Sequence, residues 1–401
     1  MVAFSPDDRW LLSAAAPSSL IVWDLARFLT SPRRGTGPAF SVAFHGAEFD
    51  ISRFLSFSTD GQRLAASTGL WSVEPLPRGM GVSLTRRRTV GSPILAINAQ
   101  GSLTAAASTD GGIAIWQTLP EDQPPRELAR LVHEGPYLSK ITSEYPVAFS
   151  PAGEWLISGG NRLERWDVGA GAEYNQLHHE AEVLAVASSR DGRYVGTTTA
   201  DGFVHIWNTT DWRRLRSLQI RKGGEDKSTP HVVFSGDNRW VAATSGNALK
   251  VFSTDGWSEV TRKEYDHSLS WIAFSPDAHW VIATGIGAES NTVDVLGVGS
   301  WRVVPTLTHK RIDTKPLNSS GERNSVSISF SPELNQPIYS ESISPGGDRL
   351  LTMTKPYCLE AELFPGIAHI WRITNGERAP AHMTQDIYGK QVLPTASIAC
   401  K

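Results

Sequence analysis

Residues 179–207 read HEAEVLAVASSRDGRYVGTTTADGFVHIW and contain three short apolar runs separated by two turns. The runs are rich in β-branched and aromatic residues, and Gly, Asp and Ser lie between them, which is typical of strands joined by hairpins. Residues 200–202 (Ala-Asp-Gly) tolerate the positive φ that such a turn requires. This stretch therefore predicts three consecutive antiparallel strands.

The same pattern occurs eight times along the chain. Clear copies of its first run and turn are VAFSPDD (2–8), VAFSPAG (147–153) and IAFSPDA (272–278). The third position of each copy serves as an anchor, and the anchors are residues 4, 57, 97, 149, 188, 234, 274 and 343. Self-similarity at a period of about 40 residues indicates stacked structural units. Long amphipathic helical windows are missing, so we expect an all-β protein.

The residues before the anchors are mostly small, which suits sheets that are covered on both faces. We therefore expect residues 1–382 to form a single β-propeller of four-stranded antiparallel blades. The repeats predict eight blades, and seven remain the alternative if the copy at 57 or 343 is not a blade. An insertion is expected at about 309–335, and residues 383–401 form a C-terminal tail available to the closing strand. Either C-terminal residues close the ring, or the chain is part of something longer.

At this point the chain resembles the WD-repeat β-propeller family, in its bacterial branch. The resemblance rests on the turn motifs quoted above and on the Trp-Asp pairs at 23–24 and 166–167, and it covers about residues 1–375. In that family a His, a Ser or Thr, an Asp and a Trp form a hydrogen-bonded set within a blade. By resemblance, the set in the fullest repeat is His179, one of Thr197–Thr199 (taken as Thr198), Asp201 and Trp207.

Three repeats depart from the family pattern on their third strand. In repeat 2, Trp71 is expected to lie out of register. In repeat 6, Phe252 takes the place of the tryptophan, and in repeat 7 an aliphatic stretch around Val295 does so. We expect these blades to be less tightly cross-bonded.

Composition argues against several classes of protein. The net charge of −3 argues against a general nucleic-acid binder. Two cysteines are too few for a disulfide framework or a cysteine-rich zinc site. No apolar run approaches the roughly 20 residues of a membrane span, and the N-terminus lacks the pattern of a signal peptide. We therefore expect a cytoplasmic protein that binds neither nucleic acid nor membrane.

Catalytic and cofactor motifs are also missing from the sequence. There is no Gly-x-Ser-x-Gly elbow, no phosphate-binding loop, no dinucleotide fingerprint and no His-Glu-x-x-His. His178 and His179 would point to opposite faces of a strand, and His205 and His369 share a register that is otherwise varied, which favours packing. We expect no enzyme activity, no cofactor and no metal.

Function is therefore expected in binding. We predict a monomeric, non-catalytic scaffold that holds a protein or peptide on one face of the propeller. Trp271 and His231 each lie three residues before an anchor, at the mouth of the innermost strand, and are candidate contacts. The remaining candidates are Trp71 and the basic run Arg86, Arg87 and Arg88. Two alternatives stay open, a sensor region of a larger signalling ATPase or kinase and a propeller enzyme with a site in its central channel.

Overall fold

The computed structural model describes most of the repeats. The described residues are 2–7, 9–15, 19–24, 40–43, 55–58, 60–66, 69–75, 82–86, 94–98, 100–107, 112–118, 123, 125–131, 146–160, 162–168, 174–221, 230–286, 291–309, 338–343, 349–354, 357–359, 362–364 and 368–372. The regular elements in these ranges are all β-strands. None of them contains a helix that is long and apolar enough to cross a membrane.

The first four sheets are four-stranded, antiparallel and ordered as in the chain. The first sheet contains β1 (Val2–Phe4), β2 (Trp10–Ala15), β3 (Ser19–Asp24) and β4 (Phe40–Ala43). The second contains β5 (Leu55–Phe57), β6 (Arg63–Ala66), β7 (Gly69–Pro75) and β8 (Val82–Arg86). The third contains β9 (Ile94–Ile97), β10 (Leu103–Ala107), β11 (Ile113–Gln117) and β12 (Arg126–Leu131). The fourth contains β13 (Val147–Phe149), β14 (Trp155–Ser158), β15 (Leu163–Asp167) and β16 (Tyr174–Leu177).

Three more sheets repeat this plan, and an eighth differs from it. The fifth sheet contains β17 (Val183–Ser188), β18 (Tyr194–Thr199), β19 (Phe203–Asn208) and β20 (Arg214–Gln219). The sixth contains β21 (Val232–Phe234), β22 (Trp240–Ser245), β23 (Ala248–Ser253) and β24 (Glu259–Glu264). The seventh contains β25 (Ser268–Phe274), β26 (Trp280–Ile286), β27 (Asn291–Gly297) and β28 (Val303–His309). In the eighth, β29 (Ile338–Ile343), β30 (Arg349–Thr354) and β33 (Ala368–Arg372) pair, and β31 (Tyr357–Leu359) and β32 (Glu362–Phe364) form a separate hairpin.

The repeated Ser-x-Asp turn closes the first hairpin of most sheets. In the fifth sheet the hydroxyl of Ser189 donates to Asp191 at 2.6 Å and accepts the backbone N–H of Tyr194 at 2.9 Å. Gly192 ends the turn at φ +71°, a conformation that favours glycine. The same bonds recur at Ser5, Ser58, Ser235 and Ser275, so the motif that defines the repeat is the turn itself.

Neighbouring sheets pack mainly through the first strand of each. Contacts link β1 to β5, β6 to β9, and β9, β13, β17, β21 and β25 in succession; β26 contacts β29, and β29 returns to β1. The apolar clusters lie between sheets, as in the group formed by Phe149, Leu156 and Trp166 of the fourth sheet with Ile115 and Ala129 of the third. The hydrophobic effect that holds the fold together therefore acts mainly between successive repeats.

Trp71 lies in register, contrary to the expectation from the sequence. It pairs with Leu64, as Trp207 pairs with Val195 in the fifth sheet. The loop between β6 and β7 is shorter than the loop between β18 and β19. Trp71 is therefore closer along the chain to its second strand, but it occupies the same position in the sheet. In the seventh sheet, Leu296 takes the equivalent place opposite Val281.

Two predicted segments fall outside what the structure describes. The insertion at about 309–335 lies there apart from His309, which ends β28. The tail at 383–401 lies there entirely. The part of the C-terminus that would close the ring is not among the described residues.

Candidate functional site

The fifth sheet brings several polar side chains together at the end from which β17 starts. His179 and Glu180 precede β17, and His205 lies on β19, two residues before Trp207. One potential ligand atom from each of His179, Glu180 and His205 lies within 4.8 Å of the other two. We call these three residues the His179 cluster.

Trp207 and His179 are joined through the hydroxyl of Thr197. The indole Nε1–H of Trp207 donates to Thr197 Oγ1 at 3.2 Å, and His179 Nε2 lies 3.3 Å from the same oxygen. The ring of His179 also meets the rings of Trp207 and His205 edge-on, with centroids 5.1 and 4.7 Å apart. His179 is thus fixed by one hydroxyl and two rings.

A second set of hydroxyl bonds holds His205, whose side chain is buried. Thr199 Oγ1 donates to Asp201 at 2.5 Å and lies 3.3 Å from His205 Nε2. On the other side of the ring, Ser217 Oγ of the outer strand lies 2.9 Å from His205 Nδ1. Each ring nitrogen of His205 therefore has its own hydroxyl partner.

The threonine of β18 that takes part in the hydrogen-bonded set with His179 and Trp207 is not Thr198, as the sequence predicted, but Thr197. Side chains alternate between the two faces of a strand, so Thr197 and Thr199 share the face of His179 and His205, and Thr198 lies on the opposite face. The hydroxyl of Thr198 is buried and has no hydrogen-bond partner among the described residues. Thr197 bonds to Trp207, and Thr199 bonds to Asp201. Two threonines therefore make the hydrogen bonds that were expected of one.

Glu180 and Arg214 form a bidentate pair at the edge of the cluster. Arg214 Nη1 and Nη2 donate to Glu180 Oε2 and Oε1 at 2.7 and 2.8 Å. This hydrogen bonding lowers the pKa of Glu180 to about 2 and raises that of Arg214. About half of the Glu180 side chain stays exposed (51%), so the carboxylate is ionised and open to solvent at neutral pH.

Both imidazoles of the cluster are held neutral. Burial, with a further contribution from the positive charge of Arg214, lowers the pKa of His179 to about 3. Burial and then Arg214 lower the pKa of His205 as well. His179 Nδ1 is buried and has no hydrogen-bond partner within the described part of the chain. Sequence reasoning missed Glu180, Arg214 and His205 as a group, and it assigned the register of His205 to packing.

The other candidate site is formed by the residues three before the anchors in the fifth to seventh sheets. These are Ala185, His231 and Trp271, and we call this position the inner rim. Ala185 and Trp271 lie within β17 and β25, and His231 directly precedes β21. These first strands contact one another in order, β17 with β21 and β21 with β25. A β-bulge precedes Ala185 and Trp271, and bulges redirect the side chain that follows.

Trp271 differs from the tryptophans that hold the sheets together. It is partly exposed, and its indole makes no ring contact or side-chain hydrogen bond with any residue that the structure describes. Trp71 is only 1% exposed and belongs to the core, which excludes it as a contact for a partner. Arg86 ends β8 opposite Trp71, and Arg87 and Arg88 lie outside the described residues.

A family model matches this chain in two of the repeats described above. Residues 1–24 and 173–208 match the family model "WD domain, G-beta repeat". The first match spans β1–β3. The second starts with β16, the outer strand of the fourth sheet, and continues through β17–β19 of the fifth. The second match therefore crosses from the fourth sheet to the fifth.

Curated relatives are similar over about half of the chain. Protein HIR1 of Cryptococcus neoformans is 24% identical over 47% of this chain and 24% of its own length. Transcription initiation factor TFIID subunit 5 of Caenorhabditis elegans is 29% identical over 55% of this chain and 31% of its own. Protein hir1 of Schizosaccharomyces pombe is 22% identical over 59% of this chain and 28% of its own.

The matched region thus spans about a quarter to a third of the length of these relatives. The three are eukaryotic, so they do not support the bacterial branch that the repeats resembled. The family-model matches place WD-type repeats in this chain, in the first sheet and at the junction of the fourth and fifth.

Proposed function

We propose that the chain is a non-catalytic interaction scaffold, an eight-bladed propeller that binds a peptide or protein at the inner rim. Eight blades are supported by the eight sheets and by the contact of β29 with β1, which joins the last sheet to the first. A stiff ring presents the same strand ends side by side, and function in repeat proteins is carried by such surfaces.

The observation that carries the proposal is the state of Trp271. A partly exposed indole without a ring or hydrogen-bond partner among the described residues offers both an apolar face and a free N–H donor. Tryptophan is enriched at the energetic centres of protein interfaces because it combines these two properties. His231 directly precedes β21, the first strand of the sixth sheet, which contacts β25 of Trp271.

The relatives support a protein partner rather than a small molecule. One of them is by name a subunit of a transcription initiation factor, and a subunit contacts other chains. We propose that this chain likewise works through contacts with protein, inside the cell.

A selection from a displayed peptide library against the full chain tests the proposal, because the selection itself supplies the ligands. Selected peptides are measured by fluorescence anisotropy on the wild type, Trp271→Ala and Trp71→Phe. We expect Trp271→Ala to weaken binding by at least about thirtyfold, since hot-spot residues contribute about 2 kcal/mol or more. Trp71→Phe, at a buried tryptophan, should leave it unchanged.

Two results would contradict the proposal. One is a selection that enriches no binding peptide above background. The other is equal affinity of the wild type and a folded Trp271→Ala variant for every selected peptide, which would remove the inner rim as the site.

A further inference from the structure

We infer that the His179 cluster is a binding site for a divalent transition cation of the zinc class, with His179, Glu180 and His205 as its protein ligands. Two imidazoles and one carboxylate form a donor set that suits zinc, with further positions left for solvent. The three residues come from two elements, the segment before β17 and strand β19, so that ion binding would tie them together.

The distances are close to those that coordination needs. The three ligand atoms lie within 4.8 Å of one another. Zinc bonds to nitrogen and oxygen measure roughly 2.0–2.2 Å. Two ligand atoms bound to one ion therefore lie closer to each other than the 4.8 Å found here. The required contraction can come from Glu180, whose side chain is 51% exposed and able to turn.

The buried nitrogen of His179 is the independent sign of a ligand. His179 Nδ1 lies in the interior and has no hydrogen-bond partner among the described residues, whereas Nε2 faces Thr197. A buried polar atom without a partner costs free energy, and coordination of an ion would satisfy it. The bond between Nε2 and Thr197 would then orient the ring from behind.

His205 has the supporting contacts of a metal ligand on both sides. If Nε2 coordinates the ion, Nδ1 can donate to Ser217 Oγ; if Nδ1 coordinates, Nε2 can donate to Thr199 Oγ1. Thr199 is itself held by Asp201. Hydrogen bonds of this kind fix the tautomer and the orientation of metal-bound imidazoles.

Arg214 competes with the cation for Glu180. In the described structure the guanidinium occupies both carboxylate oxygens. An incoming Zn²⁺ must displace at least one of these bonds and tolerate the nearby positive charge. Removal of the arginine should therefore strengthen ion binding, a direction that an ordinary structural salt bridge would not produce.

Isothermal titration of the full, chelator-treated chain with ZnCl₂ at neutral pH tests the inference. We expect one saturable site. Glu180→Gln should weaken it about tenfold or more, and Arg214→Gln should strengthen it by a similar factor. The matched control is Arg216→Gln, an exposed arginine two residues further along β20, which should leave the affinity unchanged.

Two more measurements separate this site from incidental binding at the surface. His279→Ala removes an exposed histidine that pairs with Asp277, and it should not change the affinity. Titration with Co²⁺ should give the visible absorption of a nitrogen- and oxygen-bound ion, and that signal should be lost in Glu180→Gln. The absence of a saturable site in both the wild type and Arg214→Gln, or equal affinity of Glu180→Gln and the wild type, would overturn the inference.

Discussion

The indole ring of Trp212 meets the ring of Trp155 edge-on, with the ring centroids 5.1 Å apart. Trp212 lies in the turn between β19 and β20, and Trp155 starts β14 of the preceding sheet. Two further pairs of consecutive sheets are joined in the same way, by Trp257 with Tyr194 and by Trp301 with Trp240. Each aromatic pair joins the turn after the third strand of one sheet to the start of the second strand of the sheet before it. This contact explains why tryptophan recurs after the third strand.

The first prediction concerns the backbone at Trp212. This residue has a φ of +55°, in the left-handed region of backbone conformation, which is unfavourable for residues other than glycine. Loss of the ring in Trp212→Ala should cost about 2–3 kcal/mol, below the roughly 3–5 kcal/mol of a fully buried tryptophan. Trp212→Gly should be more stable than Trp212→Ala by about 1 kcal/mol, because glycine adopts positive φ without strain.

Urea denaturation of the two variants measures this difference. Alanine and glycine at Leu215, on strand β20, serve as the reference, and there the alanine variant should be the more stable. If the alanine variant is more stable than the glycine variant at position 212 as well as at position 215, the backbone strain at Trp212 does not contribute to stability.

The second prediction concerns the ion pair between Lys263 of β24 and Asp294 of β27. The Asp294 side chain is 4% exposed, and the pair joins the sixth sheet to the seventh. Lys263→Met removes the cation that this buried carboxylate faces and should cost about 3 kcal/mol or more. The double variant Lys263→Met/Asp294→Leu should recover most of the loss, because no buried charge remains.

Thermal or urea denaturation checks both variants. Arg130→Ala, which breaks the exposed pair with Glu127, is the control and should change the stability by about 1 kcal/mol or less. A double variant no more stable than Lys263→Met would contradict the electrostatic explanation.

The third prediction is a pH dependence at Tyr265. Burial, and then the nearby carboxylate of Asp294, raises the pKa of Tyr265 above its usual value. A raised pKa stabilises the folded state below the unfolded pKa of about 10, and this stabilisation is lost as the pH rises further. The stability of the wild type relative to Tyr265→Phe should therefore fall by about 1.4 kcal/mol between pH 9 and pH 11.

Urea denaturation of both chains across this pH range isolates the contribution of Tyr265, since every other group is shared. The difference should be constant below pH 9. A difference that stays constant up to pH 11 would show that the phenol titrates alike in the folded and unfolded chains.

The repeat plan was readable from the sequence because it depends on local signals. The Ser-x-Asp turn forms within six residues, as Ser189, Asp191 and Tyr194 demonstrate, so each copy can be recognised on its own. Trp71 was misplaced because its position was judged by distance along the chain. Strand pairing sets the register instead, and a shortened hairpin leaves Trp71 opposite Leu64.

The contacts between sheets were beyond the reach of the sequence. Lys263 and Asp294 are 31 residues apart and meet only because two sheets pack against each other. Asp294 has the same position on its third strand as His205 and Glu164, a register whose variety in the sequence favoured packing. All three side chains are buried, and two of them have different polar partners, Ser217 for His205 and Lys263 for Asp294.

The last prediction separates two adjacent threonines that the sequence cannot distinguish. Thr197→Val removes the acceptor of the buried Trp207 indole and the hydroxyl beside His179, and it should cost about 1–3 kcal/mol. Thr198→Val removes a buried hydroxyl that has no partner in the described structure, so stability should stay the same or rise. Both changes keep the β-branched shape, which cancels effects of volume and strand propensity. Urea denaturation of the two variants decides the assignment, and a Thr198→Val variant less stable than Thr197→Val would return the hydrogen-bonding role to Thr198.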